Sequence, residues 1–301
     1  MKNWISAMRL RTLPLTLSSI GMGSFLAVRY QAFRWDIFIL CVLTTVFLQI
    51  LSNFANDYGD SINGADHNER QGPKRAVQSG VISSKQMFNA IILLSALSLT
   101  SGILLLWRAL QQSGWETIMV FFGLGLLSIV AAITYTAGKK PYGYAGLGDL
   151  AVIIFFGWVG VIGTFYLFVH RFDILLLLPA TSCGLFAVAV LNVNNIRDIE
   201  SDKKAGKRSV PVRIGRKNAV VYHWTLLGGG LVCTILYVIY TFQDAWQFLF
   251  LLTLPLFIMN AIGIYQKEKA SEIDPYLRQM ALTSLGFMLT FGIGQILSTA
   301  L

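Results

Sequence analysis

Long apolar runs, broken by short polar clusters, repeat along the whole chain, and they are continuous where a strand pattern would alternate. A bilayer crossing takes roughly 20 mostly apolar residues. Nine such runs can be counted, at about 12 to 29, 36 to 56, 87 to 107, 115 to 137, 146 to 169, 174 to 196, 218 to 241, 245 to 266 and 279 to 300. Segments such as ILLLLPATSCGLFAVAVL have no period of two, so a β-barrel is excluded, and helices are the remaining backbone solution in lipid. The expected fold is all-α: a polytopic membrane protein of about nine transmembrane helices in one bundle. It forms a single domain over 1–301, with pseudo-repeat halves around 1–140 and 141–301.

The polar positions that interrupt this pattern matter most at two places. NFANDYGDSINGAD closes the second apolar run, and LNVNNIRDIESD closes the sixth. On a continuing helix Asn53 and Asp57 share a face at i, i+4, as do Asn56 and Asp60, while Asp57 and Asp60 are i, i+3 neighbours. Asn194, Asp198 and Asp202 form one stripe at i, i+4, i+8, with Asn195 and Arg197 beside it. Two Asn-then-Asp clusters, each at the foot of an apolar segment, suggest an old duplication whose halves face each other. The competing reading is a pair of solvated helix ends. Charges this close to hydrocarbon cost a few kcal/mol each, which favours clusters that hold a ligand.

Composition fits the pattern. Of 301 residues 55% are hydrophobic and 13% charged, and mean hydropathy is strongly positive, values that no ordinary soluble domain combines. The net charge of +9 is explained by topology. With the N-terminus placed in the cytoplasm, 20 of the 24 Lys and Arg residues fall on that side, leaving Arg29, Arg34, Arg108 and Arg171 opposite, and both acidic clusters lie on the basic side. The predicted location is therefore the cell inner membrane, multi-pass, with the polar clusters facing cytoplasm. Nucleic acid is not a predicted partner, because the basic residues sit at span ends with no soluble domain to present them. Cys41, Cys183 and Cys233 stand apart inside predicted spans without metal-ligand spacing, and read as packing residues.

Four carboxylates facing one another, Asp57, Asp60, Asp198 and Asp202, repel strongly unless cations intervene. Oxygen ligands without Cys or His favour Mg2+ over zinc, and Mg2+ commonly completes its shell with substrate phosphates. The loops after both clusters run acidic first and then basic, an order that suits a metal with an anion bound across it. A diphosphate at the mouth of a lipid-embedded cavity belongs most naturally to an isoprenoid. Between the fourth and fifth runs, TYTAGKKPYGYAGLGDL adds Tyr135, Tyr142, Tyr144, Lys139, Lys140 and Asp149, residues of a pocket mouth or of a membrane interface.

NDYGD and DIESD, so flanked, resemble the two aspartate-rich motifs of the UbiA superfamily of intramembrane prenyltransferases, and the resemblance covers essentially the whole chain. The longer strings NDYGDSINGADHNERQGPKRAVQSG and AVLNVNNIRDIESDKKAGKRSVPVRIG, with RLRTLPLTL near the N-terminus, are most similar to the branch that prenylates 1,4-dihydroxy-2-naphthoate in menaquinone biosynthesis. The resemblance implies transfer of a polyprenyl group from its diphosphate to this aromatic acid, with loss of diphosphate and carbon dioxide. It implies Asp57, Asp60, Asp198 and Asp202 as Mg2+ ligands, supported by Asn53, Asn56 and Asn194, and Lys74, Arg75, Lys140, Arg197 and Lys203 as contacts to the diphosphate. The superfamily's third aspartate of the first motif is Gly64 here, which leaves Asp66 off the pattern. The implied partners are polyprenyl diphosphate, the aromatic acid and membrane lipid; no protein partner is predicted. Other readings are a prenyltransferase for 4-hydroxybenzoate or homogentisate, and a cation or solute transporter.

Overall fold

The computed structural model describes residues 2–63 and 75–300, and all the regular secondary structure among them is helical. A short helix α1 (Lys2–Met8) and a tight turn over Leu10–Thr12 lead into α2 (Leu13–Val28), where Pro14 occupies a first-turn position that has no N–H to lose. Then come α3 (Trp35–Ile62), α4 (Ser84–Ala109), α5 (Trp115–Thr134), α6 (Gly148–Val169), α7 (Ile174–Arg197), the short α8 (Ile199–Lys204), α9 (Val210–Tyr240), α10 (Ala245–Gln266) and α11 (Ala270–Ala300). Local chemistry sets several starts. Ser83 and Gln86 form a capping box before α4, while the side chains of Asp173 and Asp244 accept from the N–H of Leu175 and Trp246 before α7 and α10.

Eight of these helices are long and apolar enough to cross a bilayer. The expected ninth span, the first, is the 16-residue α2, which is shorter than the usual crossing. The bundle is otherwise arranged as the apolar pattern implies. Helix α7 is central, packed on α6, α9 and α11. Phe186 from α7 stacks with Phe257 of α10 at 4.5 Å between ring centroids and meets Phe287 of α11 edge-on at 4.8 Å. Helix α5 has no buried residue and turns its apolar surface outward.

Within α6, residues Ile153–Gly163 adopt the wider π-helical hydrogen-bonding pattern. That stretch lies against α2 and α7.

The connections sort into two ends. At one, Arg29 donates to the carbonyl of Thr241, Arg34 and Arg108 both pair with Asp36, and Arg171 lies over the ring of Tyr30. These are the four arginines expected apart from the rest. At the other end meet the turn after α1, the foot of α3, the loops after α5 and α8, and the start of α11, and that end carries the two acidic motifs.

Candidate active site

A cavity of about 390 Å³ opens among α2, α3, α4, α5, α6 and α7. Its α3 wall runs from Cys41 to Asp60, about 28 Å of helix at 1.5 Å per residue and thus close to the thickness of a hydrocarbon core. Asn53, Asn56, Asp60, Arg75, Asn194 and Lys207 gather at the polar end, and Phe121, Phe122, Phe155, Phe156 and Leu167 line the apolar shaft. A charged head therefore continues into a greasy channel.

The foot of α3 is built by close approach. A Cβ at Gly59 would come within 2.5 Å of the Thr136 carbonyl carbon, so only glycine lets α3 lie against the chain after α5. Thr136 Oγ1 donates to Asn56 Oδ1 at 3.0 Å, and Asn63 Nδ2 donates to the Thr136 carbonyl at 2.8 Å. Asp60 is then held from two sides, by an ion pair with Arg75 and by the Tyr144 hydroxyl at 2.8 Å. Burial and the neighbouring Asp60 carboxylate push the Tyr144 phenol above its usual range, which keeps it a donor. Asp57 points elsewhere: its two oxygens accept the backbone N–H groups of Ala76 and Val77 at 3.0 and 3.2 Å. Asn53 ties down the N-terminal turn, donating to the Met8 carbonyl and Thr12 Oγ1.

The second motif is neutralised within its own segment. Arg197, with its side chain 2% exposed, grips Asp198 through Nε at 2.8 Å and Nη2 at 2.7 Å, and Nη2 also donates to Asn194 Oδ1 at 2.9 Å. Its remaining nitrogen reaches Asp274 of α11. Asp202 pairs with Lys207 at 3.4 Å. Gly206, at φ 71°, turns the chain so that the N–H of Lys207 meets the Asp202 carbonyl and the ammonium folds back over the carboxylate. Burial raises the acid range of Asp202, as do Asp198 and Asp60, against the pull of Lys207. Lys207 loses to burial but gains more from the carboxylates of Asp202 and Asp60, so its ammonium is held charged.

Asp60 of the first motif and Lys207, five residues after the end of the second, thus meet at the polar end of one cavity, with Arg75, Asn56 and Asn194 beside them. Asp202 joins through Lys207, and Asp198 through Arg197 and Asn194. Lys140 and Lys203 are exposed, and Lys74 and Asp66 lie outside the described residues. Asp149 accepts from the Tyr222 hydroxyl at 2.8 Å. Lys207 and Asp274 escaped the sequence reading. Lys207 is one of several cations in KKAGKR, distinguished only by the glycine before it, and Asp274 carries no local signal.

The donor set is suited to a hard divalent cation. Carboxylates and amide carbonyls supply oxygens, neither Cys nor His shares the polar end, and the nearby cations match an anion's outer oxygens. Among the described residues no three carboxylates are already clustered on one point; each faces a positive or donor group.

Residues 16–285 match the model of the UbiA prenyltransferase family. This chain is a member of the UbiA prenyltransferase family. As a UbiA protein it is 45% identical to the 1,4-dihydroxy-2-naphthoate octaprenyltransferase of Haemophilus influenzae, over 99% of this chain and 96% of the relative. It is 43% identical to the enzyme of the same name from Escherichia coli, over 98% and 95%. The UbiA fold is seen again in a UbiA homolog from Archaeoglobus fulgidus, solved with GPP and Mg2+ bound, at a TM-score of 0.64 and 16% identity over 96% of this chain and 99% of that one.

Proposed function

We propose that this UbiA protein transfers a polyprenyl group from polyprenyl diphosphate to 1,4-dihydroxy-2-naphthoate, releasing diphosphate and carbon dioxide and giving demethylmenaquinone at the hydroquinone level. The observation that carries the reading is a cavity joining a charged head to an apolar channel, in a chain that matches two naphthoate octaprenyltransferases over nearly its full length. The polyprenyl tail lies in the channel between α3, α5 and α6, and the diphosphate sits at the polar end beside Arg75 and Lys207. Asp60, Asp198 and Asp202, with Asn56 and Asn194, would hold Mg2+ there; a homolog of the same fold solved with GPP and Mg2+ supports a metal dependence. Bound there, Mg2+ supplies Lewis-acid stabilisation of the leaving diphosphate.

The protein's own groups account for the rest. Arg75 and the Lys207 ammonium stabilise the negative charge that builds as the allylic C–O bond breaks. The dry, aromatic-lined channel shields the resulting carbocation from water, and ring faces such as Phe155 and Phe156 stabilise it. The electron-rich naphthoate ring attacks at the carbon bearing the carboxylate, the new C–C bond replaces the C–CO2 bond, and aromaticity returns as carbon dioxide leaves. The site faces the cytoplasm of the inner membrane, because the basic excess gathers at that end of the bundle.

The decisive test offers membranes containing this protein, Mg2+ and a long polyprenyl diphosphate to several aromatic acids. Carboxyl-labelled 1,4-dihydroxy-2-naphthoate should release labelled carbon dioxide in step with diphosphate, and EDTA should stop both. Prenylated 4-hydroxybenzoate retaining its carboxylate would replace the naphthoate assignment and leave the fold standing.

A further inference from the structure

Asp274 lies in the first turns of α11, far in sequence from either acidic motif, yet it joins two arginines that come from opposite directions. Its Oδ1 accepts from Arg197 Nη1 at 2.5 Å, and both its oxygens accept from Arg11 Nη1, at 3.3 and 3.2 Å. Arg197 is the buried guanidinium of the second motif. Arg11 belongs to the turn before α2, whose neighbours Arg9 and Thr12 line the cavity. Leu277, one turn along α11 from Asp274, lines it too.

A guanidinium is a rigid fork, so the edge that one partner occupies decides which edge is left for another. With Asp274 on Nη1, the Nε and Nη2 edge of Arg197 is the one turned to Asp198, which it grips bidentately, and Nη2 fixes the Asn194 carbonyl oxygen. We propose that Asp274 is a positioning residue for the second motif: through Arg197 it sets the orientation of Asp198 and Asn194, and through Arg11 it locks the N-terminal turn against the mouth of the same cavity. It does not line the cavity itself. The inference rests on the functional reading only in taking Asp198 and Asn194 as oxygen ligands of a divalent cation. Mutating a partner that orients a metal ligand typically costs about 10- to 100-fold in affinity or activity.

The test measures Mn2+ binding to the detergent-purified full-length protein by electron paramagnetic resonance, beside steady-state prenyl transfer titrated with Mg2+. Asp274→Asn should weaken Mn2+ binding about tenfold and raise the Mg2+ needed for half-maximal rate by a similar factor, with little change in KM for the acceptor. Asp274→Glu should recover most of both. Arg11→Met should leave Mn2+ binding near wild type while raising KM for the polyprenyl diphosphate, since it frees the mouth and not the motif. An Asp274→Asn protein that folds in the membrane and binds Mn2+ as wild type does would overturn the inference, as would equal defects in the Asn and Glu variants. If the wild-type protein fails to prenylate the naphthoate yet its Mn2+ binding depends on Asp274, the functional reading falls and the positioning role stands.

Discussion

The two acidic motifs look alike in sequence and are held in opposite ways. In the first, at the foot of α3, the carboxylates are met by groups distant along the chain: Asp57 by the amides of Ala76 and Val77, Asp60 by Arg75 and Tyr144. In the second, Asp198 is met by its neighbour Arg197 and Asp202 by Lys207, five residues on. The first motif is thus completed by segments distant along the chain. The second is largely self-contained and is oriented from outside through Asp274. A pair of motifs built this way has one half fixed by contacts across the chain and one fixed mainly by its own neighbours.

Substitutions can break or sharpen that contrast. The largest effect is expected for Lys207→Met, which strands the buried Asp202 carboxylate; breaking a buried pair from one side costs about 3–5 kcal/mol, to be read as a fall in thermal stability in detergent together with lost transfer. Asp60→Asn should cost about a hundredfold in kcat, the scale of removing one group that stabilises transition-state charge, while the protein keeps its fold because Arg75 still has the Asn56 carbonyl to bond. Retained turnover would remove Asp60 from the site.

Asp57→Ala should act chiefly on the loop. It orphans the buried N–H of Ala76, at about 1–3 kcal/mol, and the part-buried N–H of Val77, so hydrogen exchange at Ala76 and Val77 should quicken well before the helices open. Unchanged exchange there would mean that the first motif does not depend on its loop. Smallest of all, Lys203→Met should lie within about 0.5 kcal/mol and leave activity unaltered, as for an exposed side chain. A Lys203 variant as damaging as Lys207→Met would reverse the assignment of the diphosphate contact within KKAGKR.

The helices were legible because lipid demands them: each apolar run announces its own length. Chemistry was legible wherever helical spacing places polar groups on one stripe, as with Asn56 and Asp60, or with Asn194, Asp198 and Asp202. What escaped depends on contacts across the bundle. The wide stretch Ile153–Gly163 is uniformly apolar, with no periodicity to betray its hydrogen-bonding pattern. Lys203 and Lys207 differ only in a turn that the left-handed Gly206 makes possible. Asp274 sits 77 residues from Arg197 and 263 from Arg11, a separation over which no local pattern operates.

That last separation sets a schedule. A chain emerging at roughly 5–20 residues per second needs between about 13 and 50 seconds to pass from Arg11 to Asp274. Throughout that interval the N-terminal turn is already made, and for the last 77 residues of it, roughly 4 to 15 seconds, so is Arg197, while the carboxylate that joins them does not yet exist. Translation arrested before α11 would therefore leave most of the helices made and Arg11 and Arg197 without the carboxylate that joins them.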